Sequence, residues 1–482
     1  MGKVLTISPG LYARWRAESW SAHMLAERSE GLPLSERLLQ LIWRHQRIRR
    51  DDLQLTDRQP VRILHPGFWN HEAGPDFRSA VIQFGDALGR SGDIEIDLLP
   101  QNWQAHGHHQ NPAYKNVILH VVWDAEPLLP RPVPTLALKS YLDAPVEELA
   151  SSLSNEPDEA LTNALGGCAS SLRALPDDGL RALLCQAAQV RLETKAGHFQ
   201  ARAKQVGWEQ ALWEGLFGAL GYKHNVWPMR RISELLPSLM SGQPSKPPSL
   251  GLQARLLGIS GLLPSDLTPA QSDTQRYFQE IWNIWWRERE QFSDVALPRS
   301  MWRLNGLRPA NHPQRRLALA AHWLAATDLP GQLEQWFAAD ASGSKSTRAL
   351  LEVLQTPQDV FWSRHWTFRS AQMSKPKPLI GPPRISDLAV NVILPWFWIR
   401  AVVGHNDSFQ RRAEERYFAW PKSEDNTVLR LACQRLLGSA RTLMLKTAAM
   451  QQGLLQIVRD FCDHSNALCD NCRFPQISGQ VK

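Results

Sequence analysis

Hydrophobic and polar positions change their spacing twice along the chain. Leu38, Leu39, Ile42 and Trp43 recur at helical spacing, and Ser35 stands where a side chain can accept from the first free amides. This predicts a helix over 35–47. The helical period then gives way to short alternating or wholly apolar runs, the mark of strands. Residues 61–65, 79–84, 93–98 and 117–123 are predicted strands, and 134–138 adds an edge. In Asp93-Ile-Glu-Ile-Asp-Leu98 the alternation puts Glu95 and Asp97 on one face. Residues 117–123 are apolar almost throughout, as in a central strand buried on both faces. The polar stretch 99–116 has room for a loop or short helix. The strand after it can therefore lie parallel to the one before or cross to another edge.

Beyond Pro176 the helical period returns over 180–202, 208–220, 272–289, 313–326 and 388–403. Gly221 is the expected end of the second of these, and Pro395 is expected to break the last. Residues 242–251 and the basic, proline-rich 371–384 read as loops. No repeat of fixed period occurs. The fold class expected is α+β. A polar segment at 1–30 precedes a small α/β core with a mixed sheet at 31–142. A linker at 143–175 leads to a larger, mostly helical domain at 176–450. A helix and cysteine-containing tail follow at 451–482.

Composition narrows the classes. A chain of 482 residues exceeds one ordinary core, and 43% hydrophobic with 21% charged residues is a globular balance. There is no run of 18 apolar residues and no leader-like N-terminus, so a cytoplasmic protein without a membrane partner is expected. The net charge of +7 permits a DNA or RNA partner without requiring one. Most of the 20 tryptophans should anchor cores, leaving a few to stack on bases. Six cysteines are too few for a disulfide scaffold, but Cys462, Cys469 and Cys472 cluster. A Cys-x2-Cys pair with a third thiol suits zinc, with His464 or Cys433 as fourth ligand, or an iron–sulfur cluster. Unligated buried thiols are the plain alternative.

The candidate chemistry lies between Gly67 and His120. Asp76 precedes the second strand, and Glu95 and Asp97 lie on the third. Mg²⁺ or Mn²⁺ takes hard oxygen ligands, often one or two carboxylates completed by water and a substrate phosphate. Bound there, it makes water a better nucleophile and offsets phosphate charge. Asp76 and Glu95 are the expected ligands, with Asp97, His106 and His108 handling water or phosphate. His120, inside an apolar strand, reads as a core histidine. Arg230, Arg231, Arg315, Arg316, Lys375 and Lys377 are candidates to hold a phosphate backbone. The plain alternative is a set of solvated carboxylates on a sheet edge.

Pro75-Asp76 followed by Glu95-Ile96 resembles the PD-(D/E)xK phosphodiesterases, the restriction-endonuclease-like superfamily. There an Asp opens the second strand of a helix–strand–strand–strand–helix–strand core, and an acidic residue, a spacer and a Lys follow on the third. Glu36 falls where many exonuclease members carry a further acidic residue. Asp97 stands in the place of the Lys, and Lys115, Arg78, His106 or His108 would have to replace its charge. The resemblance implies a metal-dependent nuclease. Asp97 leaves open a non-catalytic nucleic-acid-binding or scaffold protein, or an enzyme of small phosphoesters. The segments 65–70, 73–77, 95–96, 103–108, 114–122, 219–225, 308–314, 391–395 and 451–453 are together similar to a bacterial family named domain of unknown function 2851. That likeness runs from about residue 35 and implies the architecture without an activity; its usual residue at position 97 is His.

Overall fold

A computed structural model of the chain describes residues 10–17, 35–50, 52–70, 74–125, 132–153, 167–240, 247–266, 272–326, 328–339, 343–424, 427–438, 445–462 and 474. The first helix of the α/β part, α1 (Glu36–His45), forms for the reason its sequence suggests. The Ser35 side chain accepts from the Leu38 amide, and Leu38, Leu39, Leu41, Ile42 and Trp43 are buried. It stops at Gln46, whose left-handed conformation (φ 50°) turns its amide back to the carbonyls of Ile42 and Trp43.

The sheet holds β1 (Val61–His65), β2 (Phe68–Trp69), β3 (Phe77–Phe84), β4 (Arg90–Asp97), β5 (Val117–Val122) and β6 (Thr135–Ala137) in the order β1-β3-β4-β5-β6. β3 pairs antiparallel with both β1 and β4, while β4 with β5 and β5 with β6 pair parallel. Parallel pairing of β4 and β5 needs a crossover. It is supplied by the short helix α2 (Asn102–Ala105) and two single turns, His108–Gln110 and Pro112–Tyr114. β5 is buried along its whole length, as a central strand should be. β2 was not foreseen, because a two-residue strand has no period to detect. It continues β1 along the same partner after a bend at Pro66-Gly67. Gly67 is required there: its φ is +93°, and a Cβ would lie 2.9 Å from that of Phe77.

The α+β class holds, but the borders between its parts differ from expectation. The stretch expected as a linker carries the helices Val146–Leu153 and Ala169–Ala174, with Leu149 and Leu172 fully buried. Their short, serine-rich sequences hide the helical period. In the N-terminal segment expected to be polar, residues 11–17 are helical. Tyr12 is buried there and donates its hydroxyl to Asp460 Oδ2 at 2.6 Å. Chain regions far apart in sequence thus close on one apolar cluster with Trp15, Leu184, Cys433, Leu454 and Phe461. Sheet and helical region share a continuous core. Trp227, on the helix Val226–Glu234, donates to the Leu64 carbonyl at 2.7 Å, and Arg50 pairs with Glu234 at 2.6 Å.

The long helix Asp177–Val206 packs on Ala448–Ile457. Lys195, half-buried on the first of these, donates to Asn391 and to Gln452 Oε1. Gly453 sets how near the two helices come, since a Cβ there would lie 2.0 Å from the Leu184 carbonyl oxygen. Gly453→Ala should therefore cost about 1–3 kcal/mol of stability, the usual price of overpacking, read as a lower urea midpoint at unchanged slope. Pro395 does not break its helix. A π turn, Ala389–Ile393, widens the backbone just ahead of it, and the helical run Pro382–Val403 continues. That run is long and apolar enough to cross a membrane, with a mean hydropathy of 1.4, yet 72% of its most apolar window is buried inside the protein.

Candidate functional site

The site lies at the C-terminal ends of β4 and β5, where three devices aim its side chains. A bulge in β3 comes first: Phe77 faces Ile94 while Ala80 faces Gly92, so β3 carries one extra residue. Ser79 takes φ 57° within it, and its amide is held by Asp93 Oδ1 at 3.0 Å. Asn70 clamps the turn before it. Its amide donates to the Asp76 carbonyl at 2.7 Å, and its side chain donates to the Pro75 carbonyl at 3.0 Å. His65 supports the bend, accepting from the Gly67 amide at 3.0 Å; burial holds its pKa down to about 3, so it stays neutral. The third device is the β4–β5 register, which sets Glu95 opposite His120 on one face.

Four carboxylates gather here. Asp76 Oδ1 accepts from Gln40 at 2.9 Å and Oδ2 accepts from the Ile96 amide at 3.0 Å. Glu95 Oε2 accepts from the Asp76 amide at 3.2 Å. Asp97 and Glu95 are only 1% and 6% exposed, so they are not solvated residues of a sheet edge. Glu36, half-buried on α1, lies near enough to Asp97 for that charge to raise its pKa, after burial itself. Burial pushes Asp76 up to about 7. Burial and then the neighbouring Asp76 push Glu95 up to about 9. Among the described residues, no lysine or arginine forms an ion pair with any of the four.

Imidazoles stand there instead. His120 Nε2 lies 3.0 Å from Asp97 Oδ2, and His106 Nδ1 lies 3.3 Å from Asp97 Oδ1. His120 is therefore part of the site and not merely a core histidine, a role its apolar strand concealed. His108 Nε2 is 3.1 Å from Glu95 Oε1 but makes no hydrogen bond. Tyr114 stacks on His108 with centroids 4.0 Å apart, and Trp103 packs against His108, His120 and Tyr114. Among the described residues, Asp97, His106 and His108 form a set of potential metal ligands, with one ligand atom from each within 4.8 Å of the others. Asp76 and Glu95, the expected ligands, lie beside that set. Gln40, Asn70 and Tyr114 were missed. Only Gln40 left a signal, one helical turn after Glu36.

The predicted phosphate grip is largely overturned. Arg315 and Arg316 are buried. Arg315 donates to the carbonyls of Trp362, His365, Lys377 and Pro378, and Arg316 to that of Leu379 and to the Tyr222 hydroxyl. They hold the 371–384 loop in place. Arg231 pairs with Glu234 at 2.9 Å, and Arg230 is surrounded by charges of both signs, including Glu214 and Glu234. Lys375 and Lys377 remain exposed, as do Arg78 and Lys115. A cleft of about 420 Å³ in the helical region, with Arg299, His312 and Arg369 in its lining, includes none of the predicted site residues. Cys462 and Cys433 are buried, while Cys469, Cys472 and His464 lie outside the described residues.

Fold and site define a mixed α+β protein with a partly buried cluster of carboxylates and imidazoles at one end of its sheet. The chain belongs to the family described as "Protein of unknown function (DUF2851)", whose model matches residues 36–426. No curated protein and no solved structure matches it.

Proposed function

We propose that the protein is a divalent-metal-dependent phosphodiesterase acting on nucleic acid. The observation that carries this reading is the set Glu36, Asp76, Glu95 and Asp97, drawn together without a lysine or arginine partner among the described residues. Buried acids in that state take up protons or a cation. The donor chemistry fits a hard divalent ion: Asp76 and Glu95 would hold Mg²⁺ or Mn²⁺. When bound, the ion lowers the pKa of a water and offsets charge on the attacked phosphate. The order α1, β1, β3, β4, α2, β5 also follows the PD-(D/E)xK core, with Asp76 just before β3 and Glu95 on β4.

In this reading Gln40 and the Ile96 amide keep the Asp76 carboxylate in place, and the Asp76 amide does the same for Glu95. Asp97 with His106, and the half-buried Glu36 beside them, would handle the proton of the attacking water. A second reading, a nucleic-acid-binding protein without turnover, is favoured by one observation: residue 97 carries a negative group where the superfamily has a positive one. Incubation of the purified chain with plasmid DNA, single-stranded DNA and RNA decides between them. Cleavage with Mg²⁺ or Mn²⁺ that stops in EDTA is expected. Salt-dependent binding without cleavage selects the second reading. Failure to cleave or to bind either metal overturns the first.

A further inference from the structure

We infer that Asp97, His106 and His108 form a mixed nitrogen–oxygen seat for a borderline transition-metal ion, of the Co²⁺ or Zn²⁺ type. The seat differs in donor chemistry from the all-carboxylate pair Asp76 and Glu95. It shares their location, but its occupancy does not depend on the phosphodiesterase reading.

Three observations converge on it. First, one ligand atom from each of the three side chains falls within 4.8 Å of the others. Bonds of about 2.0–2.2 Å to a common ion put donor atoms about 3.3–3.6 Å apart. The remaining gap closes by side-chain rotation, for which His106 has room: its side chain is 49% exposed. Second, the His108 side chain is nine-tenths buried, and its Nε2 makes no hydrogen bond. That nitrogen lies 3.1 Å from Glu95 Oε1 without a hydrogen bond of good geometry, and a metal ion would satisfy its lone pair. Stacking on Tyr114 and the edge of Trp103 hold the ring where it is. Third, the carboxylate is already oriented from behind. His120 Nε2 holds Asp97 Oδ2 at 3.0 Å, while Oδ1 faces His106. Support of ligands by a second layer of hydrogen bonds is the usual design of a metal centre.

Two imidazoles select against Mg²⁺, which prefers oxygen and keeps its waters, and favour borderline ions. Such an ion would also place positive charge beside residue 97, where no lysine or arginine among the described residues pairs.

The test is a Co²⁺ titration of the full chain without nucleic acid, followed by visible absorption. One equivalent bound through nitrogen and oxygen is expected, without the thiolate-to-metal charge-transfer band that the C-terminal cysteines would produce. Excess Mg²⁺ should not displace it. His106→Ala, at a half-exposed position, should weaken binding at least tenfold, and His108→Gln likewise. Asp76→Asn should leave the spectrum in place. A spectrum of thiolate character alone, or equal cobalt affinity in His106→Ala, overturns the seat whether or not the chain cleaves nucleic acid. Cobalt held through His106 in a chain that cleaves nothing overturns the phosphodiesterase reading alone.

Discussion

Asp76→Asn is expected to lower metal-dependent cleavage about a thousandfold, the loss of about 4 kcal/mol of transition-state stabilisation that removing a metal-ligating charge entails. The fold should not suffer. Asn keeps one side-chain oxygen for the Ile96 amide, and its nitrogen can face Gln40, whose own amide can turn its oxygen forward. The exchange also removes an acid that burial has already pushed up to about 7. The variant should therefore melt no lower than the parent in EDTA and fail only in chemistry. Single-turnover rates at saturating Mn²⁺, beside melting curves of both proteins, check this. A rate within tenfold of the parent would remove Asp76 from the reaction. Gln40→Ala isolates the positioning part of the effect, since the charge stays and one hydrogen bond goes.

The contrast between Asp76 and Arg315 shows what the chain could disclose in advance. Period two along β4 was enough to place Glu95 and Asp97 on one face, and the Ser35 cap with its apolar stripe was enough for α1. These are local signals, set within a few residues. Burial of the carboxylates is not local. It comes from a crossover that returns His106, His108 and Tyr114 over the end of β4, and acidic residues in a polar neighbourhood read as solvated until that return is known. Arg315 errs in the opposite direction. Paired with Arg316 near a basic loop, it has the look of a phosphate contact. Its guanidinium is instead consumed by the carbonyls of an irregular segment whose backbone has no strand or helix partner. The bulge at Ser79 and the two-residue β2 escape for the same reason: neither has a period. The site was legible in residue type and in two of its faces, but not in its closure.

Closure has a thermodynamic signature, and it gives the second large effect. Glu95 goes from an ordinary value of 4.5 in the unfolded chain to about 9 in the fold. Between those values the folded protein keeps a proton that the unfolded chain has released, so raising the pH favours unfolding. The Glu95 contribution is whole below pH 4.5 and is lost as the pH climbs towards 9. Other buried groups pull the opposite way. Burial lowers the pKa of His65, His108, His198 and His312, and they favour the fold as the pH rises towards 6.5. Lys195, also depressed by burial, does so at higher pH. The slope of the parent alone is therefore ambiguous, and the quantity to measure is its difference from Glu95→Gln. Gln keeps an oxygen for the Asp76 amide and offers His108 Nε2 a donor, without a charge to bury. In EDTA at constant ionic strength, urea denaturation should show Glu95→Gln gaining on the parent by about 3 kcal/mol between pH 6.5 and 9. Saturating Mn²⁺ should shrink or reverse the gap, because the ion binds the folded parent through a charge that Gln lacks. A difference that stays flat with pH would mean that Glu95 is solvated and paired as any surface acid is, and the cation-demanding cluster would go with it.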